Sequence, residues 1–156
     1  MGERLGGFIY GTIIALSVIV AGARAYPHEC GHITVLVAVT SFTFWLAHVY
    51  AHGMGHSLSK DEHLTLHELG HIARREGAII EAAVPPLVVL LLGTLGVFST
   101  KVAVWLAFGL GLGVLALQGV VFARVERLGW LATFAVVAAN LSLGVVLVAL
   151  KLFVTH

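Results

Sequence analysis

Long apolar runs separated by short polar segments dominate this sequence. A hydrocarbon core of about 30 Å takes roughly twenty residues of α-helix, because each residue advances the helix axis by about 1.5 Å. The pattern therefore predicts an all-α protein, a polytopic transmembrane helical bundle that forms one domain over residues 1–156. The five predicted spans are 5–23, 33–52, 79–98, 102–123 and 130–153.

Two features of these runs bear on the topology. The first run is about 19 residues long, which exceeds the 7–15 apolar residues of a signal peptide and favours a retained helix. Pro85 and Pro86 interrupt the third run and remove two backbone donors, so we expect a kink or a loosened turn there. A topology of four spans with a re-entrant third segment therefore stays open beside the five-span one.

Glycine spacing predicts where helices approach closely. Gly7 with Gly11, and Gly109 with Gly113, have the small-xxx-small spacing that brings helix backbones together in lipid. We therefore expect both pairs to lie at helix–helix contacts.

The distribution of lysine and arginine predicts the orientation. Under five spans, six of these residues fall on one side of the membrane and three on the other, and the richer side is expected to be cytoplasmic. The chain is then a multi-pass protein of the inner (plasma) membrane, with a cytoplasmic N-terminus and its C-terminus outside. The six are Arg4, Lys60, Arg74, Arg75, Arg124 and Arg127, and the three are Arg24, Lys101 and Lys151.

Composition supports a lipid environment and excludes nucleic acid as a partner. Apolar residues make up 59% of the chain and charged residues 11%, with a mean hydropathy of +1.00. Soluble domains carry about 25% charged residues. The net charge is only +1 and no basic run or nucleic-acid-binding motif is present. The expected partners are the lipid bilayer and other copies of the same chain.

Histidines are abundant and regularly spaced. Two imidazoles four residues apart on a helix lie on one face and can chelate a transition metal ion such as zinc or iron. His32 and His52 are separated by a membrane thickness along one predicted span, so one site cannot use both ends. The predicted metal ligands are His48, His52, His56, His63, His67 and His71, with Glu68.

A predicted cytoplasmic helix carries several of these ligands. Ser59 and Glu62 have the spacing of a capping box, with Ser59 as the N-cap. We therefore expect a histidine-rich helix over about 60–78, which either ends before the third span or continues into it.

Polar groups near and inside the spans suggest an ion pathway. An ionisable residue in a span usually faces a bundle interior, a water cavity or a partner. These polar groups also have simpler explanations. Glu81 could lie at the interface near Arg74 or Arg75, the amides could bond between helices, and the histidines could only occupy the interface. The predicted pathway residues are His48, Glu76, Glu81, Gln118 and Asn140.

Two local motifs resemble those of known families. The segments 67–71 (HELGH) and 28–32 (HECGH) match the HExxH zinc signature, and the former resembles that of intramembrane site-2-type metalloproteases. That resemblance implies zinc-dependent hydrolysis with an aspartate from a later span, whereas the only aspartate here, Asp61, precedes the motif. The repeated HxxxH spacing resembles the histidine boxes of membrane di-iron hydroxylases, which implies oxygen chemistry. The adjacent double histidine of that family is missing here.

The overall pattern, including FIYGT at 8–12 and WLAH at 45–48, resembles small uncharacterised bacterial membrane proteins, which implies no activity. Three functions follow from the residues. The leading hypothesis is a small homo-oligomeric channel or transporter for protons or transition-metal ions. The alternatives are a histidine-ligated metal-dependent membrane enzyme and an accessory subunit of a larger membrane complex.

Overall fold

A computed structural model describes residues 2–60 and 65–154 of the chain. The chain is 88% helical, and no strand occurs in the part described, which confirms the prediction of an all-α fold. The six helices are α1 (Gly2–Ala25), α2 (Cys30–Lys60), α3 (Leu66–Arg75), α4 (Ala78–Thr94), α5 (Thr100–Val125) and α6 (Trp130–Val154).

Three helices are long and apolar enough to cross a membrane alone: α1, α2 and α5. A fourth candidate is the pair α3 and α4, which meet at an angle of 47° and form either a broken span or a re-entrant segment. In α6, the described stretch Trp130–Val146 is apolar, and the helix as a whole extends over Trp130–Val154. The structure therefore supports three or four spans by length and composition, and the predicted fifth is not confirmed.

The predicted helix over 60–78 has different bounds. Helix α2 continues through Gly53 and Gly55 to Lys60, so Ser59 lies inside α2 and the prediction that it is an N-cap is wrong. A glycine weakens a helix by only about 1 kcal/mol, and extending a helix that already exists is favourable. The capping box instead belongs to Thr65 and starts α3, whereas Glu62 lies outside the described residues.

The break in the third apolar segment also differs from the prediction. Helix α4 is continuous through Pro85 and Pro86, and the bend lies at Glu76 and Gly77, where α3 ends. Helix α4 packs against α1, α2 and α5, and its remaining face, with Val84, Val88 and Leu91, is exposed. Packing on three sides explains why the two prolines do not end the helix.

Close approach of α1 and α4 organises the core. A Cβ added at Gly11 would lie 2.5 Å from the Ile79 carbonyl oxygen, and one at Gly7 would lie 3.6 Å from the Ala78 Cβ. The first glycine pair is therefore confirmed at a helix contact. For Gly109 and Gly113, no described atom comes within 4 Å of an added Cβ, so this pair lies at no helix contact within one chain. The largest fully buried side chains around this contact include Leu16, Ile19, Leu90, Phe108 and Leu115.

Successive apolar helices run in opposite directions, which gives the bundle two ends. The start of α1, the last part of α2, α3 and the start of α4 lie together, as the contacts of Tyr10 with His48 and of Arg4 with Glu81 show. We call this the α3 end. At the opposite end, the turn before α2 meets the start of α5, where the Thr100 hydroxyl donates to the His28 carbonyl.

Candidate functional site at the α3 end of the bundle

Helix α2 places His48 and His52 one turn apart at the α3 end, with ring centroids separated by 6.3 Å. The Nδ1 of His48 lies 3.0 Å from the Phe44 carbonyl oxygen, and that of His52 lies 3.1 Å from the His48 carbonyl oxygen. A carbonyl oxygen only accepts hydrogen bonds, so both Nδ1 atoms act as donors. In each neutral ring the lone pair is then on Nε2, the atom through which the ring takes up a proton or a metal ion.

Glu76 is the acidic member of this group. It ends α3, where its backbone N–H donates to the Ile72 carbonyl, and its side chain is only 11% exposed. Its Oε1 lies 3.5 Å from His52 Nδ1 and 3.7 Å from Arg75 Nε. A carboxylate removed from water needs a partner, and both neighbours can carry positive charge. Glu76 thus lies beside a histidine of α2, and its place in an ion pathway stays a prediction.

Helix α1 contributes a residue that the sequence analysis missed. The Tyr10 ring lies 5.1 Å from the His48 ring and 6.3 Å from the Phe44 ring. Tyr10, His48, His52 and Glu76 therefore lie in series across α1, α2 and the end of α3, and we call them the α1–α3 series. A tyrosine in an apolar run is usually an interfacial aromatic, so only the pairing of α1 with α2 reveals this contact.

An indole anchors α3 beside this series. Trp45 Nε1 donates to the Ala73 carbonyl oxygen at 3.0 Å. The last four carbonyls of a helix have no donor within the helix, and Trp45 satisfies one of them. Because Trp45 lies on α2, the bond fixes the end of α3 against α2 and places Glu76 beside His52.

Glu81 belongs to a separate pair. One terminal nitrogen of Arg4 lies 3.1 and 3.2 Å from its two carboxylate oxygens, and the two side chains are 60% and 54% exposed. The partner of Glu81 is therefore Arg4, and not Arg74 or Arg75 as in the interfacial alternative. Glu81 thus lies in an exposed ion pair between α1 and α4, apart from the pair of Glu76 with His52.

The predicted ligands on α3 form a second histidine pair. The rings of His67 and His71 are 4.7 Å apart in an edge-to-face arrangement. Glu68 serves the start of the helix, because its Oε2 accepts hydrogen bonds from the Thr65 N–H at 2.9 Å and the Thr65 hydroxyl at 2.7 Å. A groove of about 300 Å³ runs along this face, lined by Leu66, His67, Gly70, His71 and Arg74.

Among the side chains that the structure describes, no three of His, Cys, Asp or Glu are grouped closely enough to hold a metal ion. A zinc site takes three or four protein ligands, so each histidine pair supplies only part of such a site. The side chain of His56, and the whole of His63, lie outside what the structure describes. A zinc or iron site therefore stays a prediction.

The predicted amides lie between or near other helices. Asn140 Nδ2 on α6 donates to the Leu115 carbonyl of α5 at 3.4 Å, and Gly119 provides the space beside it. This contact fits the alternative in which the amide joins two helices. Gln118 is half-buried on α5.

The histidine near the start of α2, His32, lies at the opposite end of the bundle, as expected from the length of α2. His32 Nδ1 is 2.6 Å from Glu29 Oε2, and its ring stacks on Tyr26 at 4.8 Å. Both side chains are about 60% exposed. These groups are therefore separate from the α1–α3 series.

Comparisons of the chain with protein-family models, with curated proteins and with solved structures find no match.

Proposed function

We propose that this protein is a small inner-membrane transport protein that moves protons. In this proposal the α1–α3 series of Tyr10, His48, His52 and Glu76, called the proton chain from here on, is its exchange site at the cytoplasmic end. The observation that carries the proposal is the contact of His52 with the largely buried Glu76, which brings together an imidazole and a carboxylate from different helices. Three or four apolar helices provide the membrane setting.

The chemistry of the proton chain suits proton exchange. Histidine gains and loses a proton near neutral pH, and an imidazole with Nδ1 bound to a carbonyl exchanges protons through Nε2. Glu76 Oε1 lies 3.5 Å from His52 Nδ1, so it can accept the Nδ1 proton after the ring has gained a proton at Nε2. The low exposure of Glu76 limits its contact with bulk water, so His52 is its nearest exchange partner.

A pathway across the membrane is proposed to form between copies of the chain. The interior of one bundle is filled by fully buried apolar side chains such as Leu16, Leu90 and Phe108. Among the three long spans, α2 has the smallest buried share, 28% against 44% for α1 and 33% for α5. Because α2 also carries both histidines, contact between α2 helices of neighbouring copies would line a pathway with them.

Flux measurements test the proposal. Purified protein is reconstituted into liposomes that enclose a pH-sensitive dye, and a potassium diffusion potential drives proton entry. We expect flux above that of protein-free vesicles, reduced about tenfold or more by Glu76→Gln because a proton acceptor is lost. Glu29→Gln, a matched change in the exposed pair at the opposite end, should leave the flux unchanged.

Flux equal to that of empty vesicles, or flux insensitive to Glu76→Gln, would overturn the proposal. Co-purification of a larger protein at fixed stoichiometry would instead favour an accessory subunit.

Transition-metal ions are a second candidate cargo, and a metal-dependent membrane enzyme is the related alternative. The supporting observation is that His48 and His52 both engage Nδ1, so that two Nε2 lone pairs on neighbouring turns can bind a metal. Elemental analysis of the purified protein decides between the candidates. About one metal ion per protomer, lost on His48→Ala, would favour the two metal-dependent functions. Metal-free protein that conducts protons would favour proton transport.

A further inference from the structure

We propose that the exposed face of α3 binds the phosphate of an anionic lipid headgroup, held by His67, His71 and Arg74. This site is distinct from the proton chain, and its test does not depend on transport.

The three side chains share one face of the helix. They occupy positions i, i+4 and i+7, which lie above one another along an α-helix. All three border the groove of about 300 Å³. Gly70 opens the groove between them, since no described atom lies within 4 Å of a Cβ added there.

The charges in the groove select an anion. Arg74 is positive at every physiological pH and offers a planar fork of donors that matches phosphate. The two imidazoles add N–H donors. The carboxylate nearest in sequence, Glu68, accepts hydrogen bonds from the N–H and the hydroxyl of Thr65 and is thereby part of the N-terminal cap of α3. A divalent metal on the two imidazoles would have to bind beside the Arg74 guanidinium, which repels it.

The position of α3 selects a lipid over a free phosphate. The helix is amphipathic: Leu69, Ile72 and Ala73 are half-buried, and the polar residues lie on the other side. Leu66 borders the same groove and is 89% exposed, so an apolar side chain projects next to the phosphate donors. A helix that bends by 47° away from an apolar segment and carries this arrangement suits the headgroup boundary, where Leu66 meets acyl chains.

Native mass spectrometry of the purified full chain tests the site. The protein is titrated in detergent with phosphatidylglycerol or with phosphatidylcholine of the same acyl chains. We expect preferential binding of phosphatidylglycerol, weakened about fivefold by Arg74→Gln, as expected for one cation at a membrane surface. Adding His67→Gln and His71→Gln to Arg74→Gln should weaken the binding of phosphatidylglycerol further. All three residues are exposed, so folding should be unaffected, which circular dichroism checks.

Arg124→Gln is the matched control, because Arg124 is exposed in the last turn of α5 at the same end of the bundle. Its effect should be smaller than that of Arg74→Gln, and glycerol 3-phosphate should not displace the lipid. Equal effects of the two substitutions would overturn the proposal, as would equal binding of both lipids. Displacement by glycerol 3-phosphate would overturn the assignment to a lipid. Binding of zinc chloride that is abolished by His67→Gln but unchanged by Arg74→Gln would show a metal site instead.

Discussion

Each end of the helical bundle carries a histidine–carboxylate pair, and the two pairs differ in distance, burial and origin. At the opposite end, His32 and Glu29 are 2.6 Å apart, neighbours in sequence and about 60% exposed. At the α3 end, His52 and Glu76 are 3.5 Å apart, come from different helices, and Glu76 is only 11% exposed. The shorter contact is local and solvated, so solvent screens it. The longer contact depends on tertiary packing, and a change there affects the whole α3 end.

The largest expected difference between the ends concerns glycine packing. Gly11→Ala should destabilise the protein by about 3 kcal/mol, because the new methyl group would lie 2.5 Å from a backbone oxygen of α4. Gly31→Ala at the opposite end should be tolerated, since its Cβ would lie 3.5 Å from the Thr94 methyl group. Thermal unfolding in detergent measures both. Equal stability of the two variants would contradict the close approach of α1 and α4.

Removing the imidazole from each pair should separate the ends next. His52→Ala leaves the Glu76 carboxylate, away from water, with Arg75 as its remaining partner and should cost about 2 kcal/mol. His32→Ala leaves an exposed Glu29 and should change stability by less than about 0.5 kcal/mol. Chemical unfolding in mixed micelles gives the two values. If His32→Ala proves the more harmful, distance rather than burial decides the strength of these pairs.

The indole bond that fixes α3 should have an intermediate effect. Trp45→Phe keeps an aromatic ring but removes the donor to Ala73, which should cost about 1 kcal/mol. The substitution should also accelerate amide hydrogen exchange in α3 more than in α4. Trp130→Phe is the control, because that side chain is 79% exposed at the start of α6. Unchanged exchange in α3 would show that other contacts hold the helix.

Helix caps at the two ends should give the smallest difference. Thr65→Ala removes the hydroxyl that accepts from the Glu68 N–H at 3.3 Å and donates to Glu68 Oε2 at 2.7 Å, and should destabilise α3 by about 1 kcal/mol. Ser99→Ala removes a single bond of 3.4 Å at the start of α5 and should have less effect. Because α3 has no fully buried residue, the loss at Thr65 should appear as local hydrogen exchange and hardly in global unfolding.

The sequence predicted the helices better than their ends. Apolar length locates α1, α2 and α5, since lipid imposes a minimum number of residues on a span. Capping spacing alone placed a helix start at Ser59, although the same signal occurs at Thr65. The choice between them depends on how far α2 extends, which is a matter of cooperativity along α2 rather than of local residues.

The two HExxH segments show why the site was harder to predict. In 67–71 the whole segment is helical, so the two histidines meet. In 28–32 the helix begins only at Cys30, so His28 lies in the turn before it. Identical spacing thus gives different geometry because the backbone differs. Tyr10 and Arg4 were not predicted as site residues, since their partners lie on other helices and depend on the packing of α1.

Because of the bend between α3 and α4, Glu76 and His67 would move by different amounts if α3 tilted. Glu76 lies at the vertex of the 47° angle, where a swing of one helix against the other displaces atoms least. His67 lies nine residues away along α3, which is a lever arm of about 13 Å. A tilt of α3 that follows the curvature of the bilayer would therefore sweep His67 across the lipid surface while leaving the carboxylate of Glu76 close to its imidazole.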